Sequence, residues 1–349
     1  FAGYYAALEK GFYKEAGLDV ILRPNGYNGS FVSPVDAVVS GDAQFGISNS
    51  GLVLDYLNGK PVVALAATLQ HSAVSWLVLE KSGIRSIHDM VNKRLMTVFP
   101  LSESLELLEP FRAEGIDPKK LNLTQTIFDL QPLIDGKIDA YDAYVTNEPF
   151  LLEQKGIPYR IIDPRTYGID FYGDVLFTSQ AELQNNPERV EAFRKASMDG
   201  WRYAMAHPDE IIDLIVNKYA PQKNREHLRF EARAMWNLMQ PDIIEMGHMN
   251  PGRWLRIAEI MTEHNRIIDD KILDSFIYTP DNYQQNLLRY LQIATITSVI
   301  ALLLAGIASW IYRTNRRLVR EITARQSAEE QLRHLSETDA LTGLANRRA

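Results

Sequence analysis

The sequence predicts an α/β protein followed by a single membrane-spanning helix, and two observations support this fold class. Residues 1–289 alternate short apolar runs with amphipathic helical patterns, which is typical of α/β domains. Residues 290–312 contain no charge, and as a helix they would span about 34 Å, enough for a bilayer core of about 30 Å. With 46% hydrophobic and 23% charged residues, the 349-residue chain has the composition of a folded protein.

Helical and extended patterns alternate through the first seventy residues. An amphipathic helix is predicted over 4–17, followed by a strand over 18–24. The next helix begins with Ser33 as N-cap and Pro34 at its first position, and it ends at Gly41. Strands are then predicted at 43–48 and 61–70, with a helix at 49–60 between them.

The same alternation continues to residue 179 and then stops. Further strands are predicted at 93–99, 137–145, 159–164 and 174–179, and further helices at 103–114 and 149–155. From Pro187 to about Ile268 the pattern is helical only. Strands that alternate with helices indicate largely parallel sheets.

The charge distribution orients the membrane helix. Four arginines directly follow it: Arg313, Arg316, Arg317 and Arg320. On the upstream side, acidic residues offset the few basic ones, so the positive-inside rule places the C-terminal side in the cytoplasm. For a bacterial inner membrane, the single-pass protein then has residues before 290 in the periplasm. A buried core helix is the alternative, but such helices are usually shorter and amphipathic.

Composition excludes several classes of function. The net charge is −7; the segment from Arg313 onward carries eight Arg and five acids, which leaves −10 for the rest. An acidic body argues against a nucleic-acid partner. The chain has no Cys, which excludes disulfides and thiolate metal sites, and its seven His lack metal-ligand spacing, so no metal site is predicted.

Polar segments follow four predicted strands, at 48–50, 69–72, 99–104 and 146–149. In α/β sheets, ligands bind beyond the strand ends, where helix N-termini present free N–H groups. Each segment alone could be a plain helix cap, but four of them in one domain favour a shared cleft. The candidate polar contacts are Asn49, Ser50, Gln70, His71, Ser102 and Asn147.

Aromatic and acidic residues complete the candidate site. The aromatic candidates are Phe1, Tyr4, Tyr5, Tyr144 and Tyr172, and rings that flank a cleft suit a flat heterocycle. Glu148, at a predicted helix start, is the strongest polar candidate, with a plain helix-dipole role as the alternative. Asp170 and Asp174 could add acceptors. So many acids favour a neutral or cationic ligand over a sulfonate.

Five segments resemble one protein family: "GYYAALEKGFYKEAGLDV", "VVSGDAQFGI", "GKPVVALAATLQHS", "GKIDAYDAYVTNEPF" and "YGIDFYGDVLFT". They occur in the order found in periplasmic binding proteins for thiamine-pyrimidine precursors and alkanesulfonates. The resemblance covers about residues 1–280 and implies a two-lobed type II periplasmic-binding-protein fold. Lobe 1 is expected at about 1–78 and 178–280, and lobe 2 at about 79–177. The expected ligand is a thiamine-precursor-like pyrimidine.

The last residues resemble a second family. "DALTGLANRR", residues 339–348, is similar to the opening motif of the GGDEF domain, the diguanylate cyclase module. The resemblance implies that 338–349 begin such a domain after a cytoplasmic linker helix at 313–337, and that the chain forms a homodimer. The catalytic core, with its GTP and Mg, would follow Ala349, so no catalytic residue and no cofactor is assigned to this chain.

Two functional classes therefore stay open. In the first, the chain is a membrane-bound sensor whose periplasmic domain binds a small molecule and regulates a cytoplasmic cyclase. In the second, it is a membrane-tethered capture protein that serves an ABC transporter. The related eukaryotic pyrimidine synthases are enzymes, but their cysteine-rich motif has no counterpart in a chain without Cys.

Overall fold

The computed structural model describes residues 1–24, 33–99, 104–262 and 268–337, with only the backbone at 270, 281–287 and 334–337. The chain divides into two compact units, Phe1–Thr279 and Pro280–Ala349. The first unit contains eight described strands: β1 Phe45–Ser48, β2 Val62–Ala67, β3 Val74–Leu79, β4 Arg94–Thr97, β5 Asn122–Gln125, β6 Ala140–Tyr144, β7 Tyr159–Ile162 and β8 Val175–Ser179.

Helices surround these strands and fill the second half of the unit. They are α1 Ala2–Glu9, α2 Phe12–Glu15, α3 Pro34–Ser40, α4 Leu52–Leu57, α5 Leu105–Ala113, α6 Gln131–Ile134, α7 Glu148–Gln154, α8 Gln180–Asn185, α9 Pro187–Ala206, α10 Pro208–Leu214, α11 Arg225–Met239 and α12 Pro251–Met261. Helix α3 begins as predicted, because the Ser33 hydroxyl accepts a hydrogen bond from the Asp36 backbone N–H and Gly41 ends the helix with φ 87°.

The strands form two sheets. One has three strands in the order β1-β8-β2, and the other has five in the order β5-β4-β6-β3-β7. The prediction of largely parallel sheets is wrong: β4 pairs in parallel with β5 and β6, whereas the other strand pairs are antiparallel. The reason is that β3 and β8 are each the first strand after the chain crosses from one sheet to the other. Each of them runs antiparallel to both strands beside it.

Two chain segments connect the sheets, at 68–73 and at 163–174. They run side by side, since the Thr68 N–H donates to the Asp174 carbonyl at 2.8 Å and the Ser72 N–H to the Phe171 carbonyl at 2.9 Å. Gly173 allows this approach, because a Cβ there would lie 2.7 Å from that of Leu69. The lobe boundaries near 78 and 178 stay predictions; β3 and β8 lie next to them.

Individual strand predictions differ in outcome. Strands at 45–48, 62–67, 94–97, 140–144, 159–162 and 175–179 are confirmed. The predicted strand at 18–24 is wrong, because no described strand pairs with this segment, and an extended segment becomes a strand only by pairing. Strand β5 was not predicted, since its sequence, Asn-Leu-Thr-Gln, is polar and half-exposed at the edge of the sheet.

The core is packed on both faces of each sheet. On the three-stranded sheet, α1 packs closely on α9, where a Cβ on Gly200 would lie 2.3 Å from the Gly3 carbonyl oxygen. On the five-stranded sheet, α5 covers one face through Leu107 and Phe111, and α7 covers the other through Leu152.

The second unit, where the structure describes it, is one helix, α13, Pro280–Glu337. Its part Leu288–Arg333 contains an 18-residue window with a mean hydropathy of 2.1 and, by length and composition alone, could cross a membrane. One such helix is weak evidence for a membrane span. The helix continues without a break through the predicted linker at 313–337. The GGDEF-like segment at 338–349 lies outside the described residues.

Candidate ligand site

Two buried polar groups lie where α1 packs on α9, and their surroundings are called the Tyr4 recess below. The rings of Tyr4 and Trp201, which are 2% and 0% exposed, meet edge to face with centroids 5.7 Å apart. The Tyr4 hydroxyl and the Trp201 indole N–H are adjacent but not in hydrogen-bond geometry, and neither has a hydrogen-bond partner among the described residues. Buried polar atoms are nearly always bonded, so this pair calls for a polar partner such as water or a ligand.

A carboxylate lies beside this recess. Burial raises the pKa of Tyr4, and the charge of Asp174 raises it further. The pKa of Asp174 is itself raised, because burial disfavours its charged form. The Asp174 main chain is fixed, since its carbonyl accepts hydrogen bonds from the Thr68 N–H and hydroxyl. The amino group of Phe1 lies near Asp174, and the residue is 68% exposed.

The five-stranded sheet contributes Tyr144 and two more acids. Asp142 and Tyr144 are two residues apart on β6 and therefore lie on the same face of the sheet. Tyr144 is 54% exposed, yet its pKa is raised to about 12. The first cause is that the surrounding protein disfavours the charged phenolate, and the second is the negative charge of nearby acids: Asp174, Asp142, Glu106 and Glu148. Tyr144 therefore lies near acids from several parts of the fold.

The two acids of this sheet are held differently. Asp142 accepts hydrogen bonds from the Thr97 hydroxyl at 2.8 Å and the Val98 N–H at 3.3 Å, and burial raises its pKa. Glu106 lies in the first turn of α5, and burial raises its pKa to about 8. Together with Asp174, these acids place three carboxyl groups with raised pKa values near Tyr144. A carboxyl group in either protonation state can accept a hydrogen bond from an N–H donor.

Glu148 has a structural task as the first residue of α7. Its carboxylate accepts hydrogen bonds from the Tyr144 N–H at 2.8 Å and from the Asn147 side-chain amide at 2.6 Å. These bonds fix the turn between β6 and α7. Each carboxylate oxygen retains a free lone pair. Glu148 and Asn147 also line a shallow cavity of about 250 Å³ with Phe128 and Tyr141.

Three other predicted residues lie in or beside the connections between the sheets. The His71 ring nitrogen Nδ1 lies 2.8 Å from the Asp170 carboxylate, which Arg253 also contacts at 2.6 Å. Gln70 donates to the carbonyls of Ala67 and His248 and is buried. These contacts tie the two connections to each other and to α12, and none of them leads to the Tyr4 recess.

The remaining predicted residues that the structure describes have partners within the fold. The Tyr5 ring stacks on Tyr219 at 3.8 Å, and the Asn49 side chain accepts a hydrogen bond from the Gly51 N–H. The Ser50 hydroxyl donates to the carbonyl of Tyr172, whose own ring is buried. Ser102 lies outside the described residues. Among the described candidates, the structure thus brings Phe1, Tyr4 and Tyr144 near Asp174 and Glu148 next to Tyr144.

Three residues near Tyr4 or Tyr144 were not predicted as candidates. Trp201 lies in an amphipathic helix, where an aromatic residue indicates core packing rather than a site. Glu106 follows a cap in an apolar helix, where an acid is typical of a dipole partner. Asp142 alternates with buried residues along β6, and this was the one available signal, since an acid in a buried strand requires partners.

The comparisons with known proteins agree with this architecture. The NMT1/THI5 like family model matches residues 1–211. The chain is 23% identical over 273 residues to the riboflavin-binding protein RibY of Chloroflexus aurantiacus, covering 75% of this chain and 76% of that protein. It is 26% identical over 221 residues to the formylaminopyrimidine-binding protein of Halalkalibacterium halodurans, covering 61% and 64%.

A solved structure shares the fold. The periplasmic aliphatic sulphonate binding protein SsuA of Escherichia coli superposes with a TM-score of 0.59 at 13% identity, covering 80% of this chain and 89% of that one. At this identity the similarity concerns the fold alone. The first unit therefore has a mixed α/β fold of the type II periplasmic-binding class.

Proposed function

This chain belongs to the NMT1/THI5-like family, and on that premise we propose that its first unit binds a small nitrogen heterocycle. The observation that carries the proposal is the recess at Tyr4, Trp201 and Asp174. Two buried donors without partners adjoin a buried carboxylate, and a ring with both acceptor and donor atoms would complement all three.

The ligand class follows from the chemistry of the recess and from two relatives. A riboflavin-binding protein and a formylaminopyrimidine-binding protein are both named for nitrogen heterocycles. The exposed ring of Tyr144 supplies an aromatic surface, and Glu148, which bonds to the Tyr144 N–H, offers further acceptor capacity. A sulfonate would instead face several carboxylates. We therefore propose a thiamine-precursor-like aminopyrimidine as the ligand.

Calorimetry on the full chain in nanodiscs tests this proposal. The panel is 4-amino-5-hydroxymethyl-2-methylpyrimidine, riboflavin, ethanesulfonate and nitrate. The aminopyrimidine is expected to bind, with a dissociation constant that rises about two- to tenfold in Trp201→Phe, which removes the indole N–H and retains an aromatic ring. Tight binding of ethanesulfonate, with the same affinity in Trp201→Phe, would contradict the proposed ligand.

The proposal extends to signalling. Helix α13 could carry the chain through a bacterial inner membrane, and the segment at 339–348 resembles the start of a GGDEF domain. In this proposal the binding unit is periplasmic, the C-terminal side is cytoplasmic, and a homodimer of α13 helices regulates diguanylate cyclase domains. Leu318, Ile322 and Leu332 offer a weak seam for helix pairing, and weak pairing suits a switch between two registers.

An insertion distinguishes a switch from a tether. Two residues added after Arg325 rotate the downstream helix by about 200°. In the full-length gene product, ligand-dependent cyclic di-GMP synthesis should then be lost while ligand affinity is unchanged. Regulation that survives the insertion would refute the switch. Ligand-dependent uptake without any cyclase output would favour the alternative, a membrane-tethered capture protein for an ABC transporter.

A further inference from the structure

Helix α7 contacts elements of both sheets. It packs on the five-stranded sheet, where Leu152 lies in one core cluster with residues of β3 and β6. Phe150, in the same helix, is buried against α11. Its ring stacks on that of His227, with centroids 4.4 Å apart and planes 17° from parallel, and its centroid lies 5.6 Å from that of Phe230.

Helix α11 is anchored on the other sheet. Leu238 and Met239, at its C-terminal end, lie in a core cluster with residues of β2 and β8 of the three-stranded sheet. The Leu238 carbonyl also accepts a hydrogen bond from the His71 N–H at 3.1 Å, which ties this end of α11 to the first connection. The ring contact at Phe150 therefore joins a helix of one sheet to a helix of the other.

This contact lies well away from the connections. Along α11, His227 and Phe230 precede Leu238 by about two to three turns, which is about 12–16 Å. If the two sheets rotate by about 15° about the connections, a point at this distance moves by about 4 Å. Rings that are now 4.4 Å apart would then be out of stacking contact. A small rotation is therefore sufficient to break the contact.

His227 contributes a polar atom that opposes the closed contact. The residue is 9% exposed, and none of the described residues forms a hydrogen bond with its Nε2 atom. The Glu231 carboxylate lies 3.6 Å from Nε2, which is too far for a hydrogen bond. Separation of the helices would expose Nε2 to water and satisfy it. Stacking thus favours contact between the helices, and solvation of the imidazole favours their separation.

We propose that Phe150, His227 and Phe230 form an aromatic clasp that holds the two sheets together beside the ligand site and opens for ligand exchange. The exchange of a ligand rests on the proposed function, whereas the clasp itself does not. Glu148, a candidate ligand contact, lies in the first turn of α7 with Phe150, so opening of the clasp also moves this carboxylate. Because opposing terms act on the clasp, loss of one ring should shift the population toward the open state.

A distance between two spin labels tests the clasp without any added compound. The chain contains no Cys, so Lys155→Cys and Lys195→Cys provide the only labelling sites. Lys155 follows α7 and Lys195 lies on α9, so the labels report the separation of the two sheets. The full chain is measured in nanodiscs by pulsed electron paramagnetic resonance. Dilution with unlabelled chain restricts the signal to distances within one molecule.

The clasp predicts one dominant distance in the labelled parent. Phe150→Ala should add a population with a distance about 4 Å longer, and Phe230→Ala should do so to a smaller extent. Leu151→Ala is the matched control, because this neighbour packs on the five-stranded sheet, and it should retain the parent distance. Phe150→Leu retains much of the side-chain volume without a ring, and it replaces Phe150→Ala if that variant does not fold.

Ligand release is the second measurement. In stopped-flow fluorescence, 4-amino-5-hydroxymethyl-2-methylpyrimidine should dissociate about tenfold faster from Phe150→Ala than from wild type, and at the wild-type rate from Leu151→Ala. A longer distance with an unchanged dissociation rate would overturn the role of the clasp in ligand exchange.

The outcomes separate the clasp from the proposed function. Unchanged distances in folded Phe150 and Phe230 variants, or the same longer distance in Leu151→Ala, would overturn the clasp even if the aminopyrimidine binds. Longer distances in the Phe150 and Phe230 variants alone, with no binding of any compound, would support the clasp and overturn the proposed function.

Discussion

Removing the Tyr4 hydroxyl should stabilise the protein and weaken ligand binding. In Tyr4→Phe, the ring can retain its edge contact with Trp201 at 5.7 Å, and only an atom without a hydrogen-bond partner is lost. If Tyr4 served packing alone, removing its hydroxyl would not raise the stability of the protein while lowering its affinity for the ligand. This opposition is typical of a polar group that is buried for a ligand rather than for the fold.

The magnitudes follow from the burial of the hydroxyl. Leaving a buried polar group unbonded costs about 1–3 kcal/mol, and a small loss of packing offsets part of the gain in Tyr4→Phe. We expect the free energy of unfolding to rise by about 1 kcal/mol and the melting temperature by about 2–4 °C. Loss of one hydrogen bond to the ligand should raise the dissociation constant about two- to tenfold.

Tyr13→Phe is the matched control. Tyr13 is also buried, but its hydroxyl bonds to that of Ser197 at 3.0 Å, so the substitution should destabilise the fold by about 1 kcal/mol without affecting affinity. Denaturant unfolding of the full chain and calorimetry with the aminopyrimidine measure the two effects. If Tyr4→Phe is destabilising and binds with unchanged affinity, the recess is structural and the argument for a ligand there is refuted.

Three further predictions concern other parts of the first unit. Glu148→Gln should weaken aminopyrimidine binding about ten- to hundredfold in calorimetry, because it removes a charged acceptor. Unchanged affinity would show that Glu148 only stabilises the turn between β6 and α7. The free energy of unfolding should fall as the pH rises from about 5 to about 8. Glu106 in the folded protein retains its proton in this range, whereas in the unfolded chain it ionises near its ordinary pKa of 4.5. Urea unfolding of Glu106→Gln should lack this pH-dependent contribution. Gly200→Ala should lower the free energy of unfolding by about 1–3 kcal/mol, because its Cβ would clash with the backbone of α1. Gly59→Ala is the control: its Cβ would contact no other atom, so it measures only the cost of a positive φ.

Local patterns in the sequence were sufficient for six of the eight described strands and for the long apolar helix. The cap at Ser33 and the strands at 62–67 and 140–144 follow from side-chain spacing within a few residues of chain, and the structure has them at those places. The family resemblance added the two-sheet architecture. The strand at 18–24 failed for a physical reason, since pairing with a neighbour, and not composition, makes a strand.

Only the tertiary structure could assign the site. Tyr4 and Asp174 are far apart in the chain, as are Tyr4 and Trp201, and no local pattern indicates that they meet. A sequence lists the polar and aromatic residues that could bind a ligand, but it does not say which of them already have partners. Asp170 and Glu148 are bonded within the fold, whereas the Tyr4 hydroxyl is not, because hydrogen bonding depends on three-dimensional neighbours that the folding of distant segments brings together.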